Sequence, residues 1–220
     1  MKVVAIDGPC GSGKGTIASI LSKKYNLVNI DTGATYRCVA LASLRNNLSL
    51  NDTEEIIKLS KEIDIKMDLN NKIYLNGEDV TDEIRSKAVT EIVSPISSIV
   101  EVRKNMVDLQ RRMANNYDVV MEGRDITTVV FPDAQYKFYL DASLEERVSR
   151  RIKQNEEKGI NMSYDEVLEN IKFRDYNDMH KEVGSLKRTA EQVYIDSTNL
   201  SIDEVVLKFV KVIEGDINES

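Results

Sequence analysis

Lys2-Val3-Val4-Ala5-Ile6-Asp7-Gly8-Pro9-Cys10-Gly11-Ser12-Gly13-Lys14-Gly15-Thr16 decides how the rest of the chain is read. Residues 2–7 are a short, nearly continuous apolar run, which predicts a buried strand. Gly8, Gly11, Gly13 and Gly15 then punctuate a loop, and residues 17–24 read as a helix. Strand, glycine loop and helix in that order make an anion cradle. Glycines let the backbone curl until several N–H groups face one point; the helix N-terminus adds partial positive charge and Lys14 a full one. The spacing fits G-x-x-x-x-G-K, the phosphate loop of nucleotide-binding proteins. Gly15 stands where a hydroxyl residue is usual, and the hydroxyl comes one place later, at Thr16.

Further along, residues 27–30 predict a second strand ending in Asp31-Thr32-Gly33, followed by a helix over 34–45. Asn51-Asp52-Thr53-Glu54-Glu55 has the composition of a capped helix start, the helix running to about Glu62. From Ile63 the period changes to two: Ile63, Ile65 and Met67 alternate, Asn70-Asn71 turns the chain, Ile73 and Leu75 follow, and Asn76-Gly77 is a strong hairpin signal. Residues 63–81 thus predict a small antiparallel sheet, inserted beside the main one. Residues 81–116 read as mostly helical, broken by Pro95, with Val102, Met106, Leu109 and Met113 at the spacing of a core-facing stripe.

Residues 118–121, 137–140 and 192–196 predict three more strands, ending in Glu122-Gly123-Arg124-Asp125, Asp141-Ala142 and Asp196-Ser197-Thr198. Helices are expected over 143–158, 163–181 and 201–213, the last capped by Ser201, with 214–220 as a frayed end. Strands alternating with helices predict an α/β fold, a parallel five-stranded sheet with helices on both faces. In such sheets ligands bind at the carboxyl ends of the strands, where most of this chain's polar punctuation falls.

A length of 220 residues suffices for one such domain with an insert, or for two small ones. With 41% apolar and 30% charged residues the composition is that of a soluble globular protein. The formal charge of −7 argues against general nucleic-acid binding, whose footprint is basic. No apolar run approaches membrane-spanning length and no signal peptide is present, so neither a membrane nor a nucleic acid is expected as a partner. Cys10 and Cys38 are the only cysteines, with neither a C-x-x-C pair nor metal spacing, and Cys10 lies inside the phosphate loop, where a disulfide would obstruct a ligand. A reducing, cytoplasmic setting follows as the expectation. His180 is the single histidine, which leaves no room for a histidine-based metal centre or a Ser/His/Asp triad.

Bringing a second anion to a bound phosphate requires positive charge between them, and arginine, whose planar fork binds phosphate bidentately, is the residue suited to it. Arg37 lies one turn past the 31–33 strand end and Arg124 at the end of the third strand. Arg147, Arg150 and Arg151 fall on one helix face, as do Arg174, Asp178 and Lys181. Taken alone, Arg37 reads equally as a solvated helix charge, and the 147/150/151 face as one salt-bridged to Glu145, Glu146 and Glu156.

Gly8 through Thr16, Asp31-Thr32-Gly33-Ala34-Thr35-Tyr36-Arg37, Glu122-Gly123-Arg124-Asp125-Ile126-Thr127-Thr128-Val129-Val130-Phe131-Pro132, the 147–151 face and Ile171-Lys172-Phe173-Arg174-Asp175 together resemble the bacterial cytidylate kinases, within the nucleoside monophosphate kinase family. The resemblance runs over residues 2–213. It implies a P-loop NTPase-type fold with a core of 1–33, 117–142 and 190–220, a monophosphate-binding domain with its insert at 34–116, and a helical lid at 143–189. It implies transfer of the γ-phosphoryl group of ATP to CMP or dCMP, with Mg²⁺, by a monomer.

The roles it implies are as follows. Gly8, Gly11, Ser12, Gly13, Lys14, Gly15 and Thr16 hold ATP, with Thr16 near Mg²⁺ and Arg147 stacked on adenine. Thr32 and Arg37, assisted by Arg124, hold the acceptor phosphate. Ser94, Arg103 and Asp125 read cytosine, while Arg174 and Asp178, with Lys181 beside them, hold the ribose. Lys14, Arg124, Arg150 and Arg151 neutralise the moving charge. A carboxylate at Asp125 suits cytosine, whose amine donates to it, and repels the carbonyl that uracil would present. Three positions depart from the family pattern: Glu122 for Asp, and Asn177 and Lys181 for Arg. Asp141 and Glu122 each end an apolar strand, and either suits the role of organising the waters of Mg²⁺.

The residues leave two other readings open: another small P-loop kinase, of UMP/CMP or shikimate type, and a non-enzymatic nucleotide-binding module. A GTPase-like switch lacks its guanine motif, since Asn71-Lys72 is followed by Ile73-Tyr74, and no glycine has an aspartate three places before it.

Overall fold

β1 (Val3–Asp7) is buried along its whole length at the centre of a five-stranded sheet. The computed structural model describes residues 2–68, 70–157 and 159–215. β1 is flanked by β6 (Val119–Gly123) and β7 (Tyr136–Asp141), with β2 (Val28–Asp31) and β8 (Val193–Asp196) at the edges. All these pairs are parallel, as the strand–helix alternation predicts. The register sets Asp7 opposite Gly123 and Tyr139, Asp31 opposite Glu122, and Asp141 opposite Asp196. The polar strand ends therefore come level along one edge of the sheet.

Alternate residues of β1 serve the two faces, as the strand period requires. Val4 and Ile6, with Val120, Phe138 and Leu140, pack on Ile17 and Leu21 of α1 (Lys14–Tyr25) and Phe209 of α8 (Ile202–Glu214). Val3 and Ala5, with Ile30 and Met121, pack on Val107 and Ala114 of α5 (Val100–Ala114). A Ser201/Glu204 capping box starts α8, as the cap at Ser201 suggests.

α2 (Thr32–Arg45) begins two residues earlier than the sequence suggests, because the Asp31 side chain accepts from Ala34 N and draws Thr32-Gly33 into the first turn. α3 (Thr53–Glu62) starts at the expected place, but the Asp52 carboxylate accepts from the Ser49 N–H and hydroxyl instead of capping it. The antiparallel insert is present as β3 (Ile65–Met67), β4 (Ile73–Leu75) and β5 (Glu78–Asp79). Asn76 and Gly77, at φ +51 and +86, make the turn between β4 and β5. Arg45 binds both Glu78 and Glu83 and fastens this sheet to α2.

Pro95 does not break its helix. It sits in the last turn of α4 (Lys87–Ile96), where Ser97 N still donates to Val93 O at 2.9 Å, and the break falls just after it. Residues of α2, α3, the insert, the 83–85 turn, α4 and α5 share one apolar cluster that includes Val39, Ile56, Ile84 and Met106. α6 (Leu144–Glu157) and α7 (Tyr164–His180) share a small separate one around Val148, Val167 and Ile171. A capping box of Ser163 and Glu166 starts α7. Lys158 and the 216–220 part of the expected frayed end lie outside the described residues. No described helix is long and apolar enough to cross a membrane.

Candidate active site

A cleft of about 560 Å³ opens over the carboxyl ends of β1, β2 and β6. Its walls bring together Gly11, Gly13, Lys14, Gly15 and Thr16 from the phosphate loop, Thr32 and Arg37 from α2, and Ser94 and Arg103 from α4 and α5. Arg124 and Asp125 after β6, Arg151 of α6, and Arg174, Asp178 and Lys181 from the α7 end complete it.

At the loop end, α1 starts at Lys14, with Gly13 as its N-cap at φ +97, so the first helical N–H groups face the cleft. The Lys14 ammonium donates to Pro9 O at 2.8 Å and Ser12 Oγ at 3.4 Å, which closes the loop on itself. Burial, and then the Arg124 charge, push that ammonium down to about 8. Gly8 and Ser12 belong to the loop but do not line the cleft. The Ser12 hydroxyl turns back to Pro9 O at 3.1 Å. At Gly8, φ is +154 and a Cβ would lie 3.1 Å from the Leu140 carbonyl carbon, so only glycine lets the chain leave β1 against β7.

At the ends of β2 and β6 the Thr32 hydroxyl donates to Glu122 O at 2.7 Å, and Arg37 pairs with Asp31 at 2.8 Å. Arg124 donates from Nε to Asp178 at 2.7 Å, and Lys181 meets the other oxygen of the same carboxylate at 2.9 Å. Burial alone would raise Asp178; Arg124 and Lys181 outweigh it and hold the carboxyl well below the usual range. Lys181 also donates to Ser97 Oγ, and Asn177 donates to Ser94 Oγ at 3.2 Å. Asn177 and Lys181 thus tie the C-terminal end of α7 to that of α4.

Arg103 and Asp125 form an ion pair with side chains only 4% and 7% exposed. Burial pushes the Asp125 carboxyl up, opposed by the Arg103 charge. Arg103 also donates to Ser97 O at 3.1 Å, and its guanidinium lies 5.4 Å over the Tyr36 ring.

The α6 arginines divide. Arg147 is buried: it donates to Ala142 O and Cys10 O and pairs with Asp175. Arg150 donates to Ser12 O and to Ser197, and pairs with Glu146. Both brace the phosphate loop, and neither lines the cleft. Of the alternative face with Glu145, Glu146 and Glu156, only the Arg150–Glu146 pair forms among the described residues. Arg151 and Arg174 line the cleft with no hydrogen bond or ion pair among the described residues.

Glu122 and Asp141 are placed differently. Glu122 reaches the loop, since a Cβ on Gly15 would lie 3.5 Å from its Oε1, and it lines the cleft with Thr16. Burial, and next the Asp31 charge, push its carboxyl up. Asp141 instead accepts from Ala142 N and the Tyr194 hydroxyl. A carboxylate and a hydroxyl beside a phosphate cradle fit Mg²⁺, which takes oxygen ligands and keeps several waters. No cluster of three or more His, Cys, Asp and Glu side chains able to hold a metal occurs among the described residues.

Four positions escaped the sequence reading. Asp7 is fully buried and accepts from Ile126 N, Thr127 N, Thr127 Oγ1 and Gln192 Nε2, fixing the 124–128 segment. Burial pushes its carboxyl up, against the pull of those Thr127 donors. Arg111 holds the Val129 and Val130 carbonyls from the other side. Tyr36 and Arg85 line the cleft itself. Only Asp7 carried a signal, as a charged residue closing an apolar strand.

Residues 4–215 match the family model described as cytidylate kinase. A cytidylate kinase of Fusobacterium nucleatum subsp. nucleatum is 47% identical over 212 residues, covering 96% of this chain and 97% of that protein. One of Clostridium acetobutylicum is 45% identical over 214 residues, covering 97% and 98%. A solved structure of an uncharacterized protein from Eubacterium ventriosum aligns with a TM-score of 0.53 at 12% identity, over 97% of this chain and 99% of that one, a likeness in fold alone. A match to the family model over nearly the whole length, with relatives this similar from end to end, means that the chain belongs to the cytidylate kinase family.

Proposed function

We infer that the protein transfers the γ-phosphoryl group of ATP to CMP or dCMP, giving ADP and CDP or dCDP. The observation that carries this reading is the pairing of two anion sites in one cleft. The phosphate loop with Lys14 lines the same cleft as Arg37 and Arg124, beside a buried Arg103–Asp125 pair.

An oxygen of the acceptor monophosphate attacks the γ-phosphorus in line, and the bond to the bridging oxygen of the β-phosphate breaks. That acceptor is already an anion, so no general base is needed. The barrier lies in repulsion between the two phosphates, and the chain answers it with cations. Lys14 and the N-terminal amides of α1 hold the donor, Arg37, Arg124 and Thr32 hold the acceptor, and Arg151 and Arg174 reach the oxygens between them. Mg²⁺ would sit at Thr16 with Glu122 organising its waters, and would supply charge neutralisation on the β- and γ-phosphates.

Asp125 accepts from the cytosine amine while Arg103 and Ser94 orient the ring; Asp178 and Arg174 receive the sugar. Arg147 and Arg150 keep the loop in shape through the Cys10 and Ser12 carbonyls. The segment 143–189 acts as a lid over the 1–33, 117–142 and 190–220 core, facing the monophosphate-binding part at 34–116, and a closed lid excludes water that would hydrolyse ATP. The enzyme works as a cytoplasmic monomer. A panel of acceptors at equal concentration, with coupled detection of ADP, tests the reading: CMP and dCMP are expected to lead, and a preference for UMP would overturn it.

A further inference from the structure

The chain leaves α7 at His180 and turns back on itself. Leu186 N donates to Asp178 O at 2.7 Å, and Leu186 is buried. Between them stands Gly184, at φ +68. A Cβ built there would lie 2.6 Å from Arg103 Cζ, and closer still to Arg103 Nη2 and Asp125 Oδ2. Gly184 is not part of the cleft wall. Its backbone is pressed against the back of the ion pair that faces the cleft.

Such a contact is harmless where the neighbouring atoms can swing into solvent, and these cannot. Arg103 is only 3% exposed and Asp125 5%. The Arg103 guanidinium is held on its other sides by Ser97 O and the Tyr36 ring. The Asp125 backbone is fixed because its carbonyl accepts from Val129 N and Val130 N. The cleft is the remaining direction in which the pair can move.

We propose that Gly184 is a positioning residue for base recognition: its missing side chain sets how deep the Arg103–Asp125 pair sits, and so how that pair meets the pyrimidine. The proposal rests on the cytidylate reading of the cleft. Any side chain at 184 drives the pair forward, mis-setting the hydrogen bonds to the base while leaving the phosphate loop untouched. One hydrogen bond to a charged group governs a factor of about 10–100 in binding.

The test is steady-state kinetics on Gly184→Ala and Gly184→Asn, with melting temperatures in parallel. Asn tolerates positive φ better than Ala, yet carries the same Cβ. Both variants are expected to raise KM for CMP about tenfold or more, keep KM for ATP within about twofold, and lower the CMP-over-UMP ratio of kcat/KM about tenfold. Equal effects on both substrates, or a CMP KM and discrimination ratio like those of the wild type, refute it. Rescue by Asn alone refutes it too, since it assigns the effect to backbone strain.

Melting temperatures give a second reading that needs no substrate. Asp125→Ala removes one of the two groups a Cβ at 184 would meet and leaves space into which Arg103 can shift, so Gly184→Ala is expected to lower the melting temperature in the wild-type background and far less in the Asp125→Ala background. Equal losses in both backgrounds overturn the proposal, including where Gly184→Ala alone folds poorly. Should the wild-type enzyme fail to phosphorylate CMP, the functional reading fails and the melting comparison still decides the role of Gly184.

Discussion

Replacing Asp125 by Ala leaves the Arg103 guanidinium buried without its counter-ion. Side-chain exposures of 4% and 7% place both partners out of water. Breaking such a pair from one side costs about 3–5 kcal/mol, because the remaining charge is stranded. Arg103 keeps some support, from Ser97 O at 3.1 Å and the Tyr36 ring, while its Nε has no partner in the described structure. These residual contacts favour the lower end, about 3 kcal/mol. For a chain of this size each kcal/mol moves the midpoint by about 2–4 °C, so Asp125→Ala is expected to melt about 6–12 °C below wild type. Adding Arg103→Met removes the stranded charge and fills the space with an apolar side chain, and most of the loss should return. Thermal and urea unfolding followed by circular dichroism measure all three proteins. A single variant within about 2 °C of wild type, or a double variant no more stable than the single one, would show that the pair is not held as a desolvated unit.

Lys14→Ala and Arg124→Ala are expected to keep the fold and lower kcat by about 10²–10³, and near-normal turnover in either counts against the two-anion cleft. Cys10 should react with a thiol reagent in the native protein and be shielded by ATP. Burial opposes ionisation of its thiol, but Arg174, Arg124, Lys14 and Arg151 together bring its pKa down. Cys38 is buried, its thiol pushed up to about 12, and should react only on unfolding; equal labelling of the two in the native state contradicts this. Glu122→Gln is expected to move the activity-versus-Mg²⁺ curve to about tenfold higher concentration, and superimposable curves remove Glu122 from that role.

The parts of this protein legible in its sequence are those governed by local chemistry. The phosphate loop, the alternation that builds the parallel sheet, the Asn76-Gly77 turn and the Ser201 cap are written in neighbouring residues. Pro95 misled because a proline in a last helical turn ends little, and only the Ser97-to-Val93 hydrogen bond shows where the helix stops. The arginines on α6 share one face, yet Arg147 and Arg150 are drawn to backbone carbonyls of a loop far away in sequence, while Arg151 is left to the cleft. Helical spacing fixes which side chains are neighbours and says nothing of what lies opposite them. What Asp7, Arg111 and Gly184 touch was unreadable for the same reason. Their partners are, respectively, Thr127 with Gln192, the Val129 and Val130 carbonyls, and the Arg103–Asp125 pair.

The buried carboxylate of Asp7 also bears on how the protein is made. It is synthesised ahead of all its partners, takes donors from Ile126 and Thr127, and receives a further one from Gln192. Gln192 itself donates to the Thr127 hydroxyl at 2.6 Å, just ahead of the edge strand β8. On the ribosome, a growing chain that has completed its nucleotide loop still carries an under-satisfied acid beneath the segment that bears Arg124 and Asp125. The 124–128 segment and Asp7 receive their last shared donor, the Gln192 amide, only when the C-terminal stretch emerges and docks. Premature termination before that point would yield a chain with every phosphate-loop residue in place but with Asp7 and Thr127 short of their Gln192 donor.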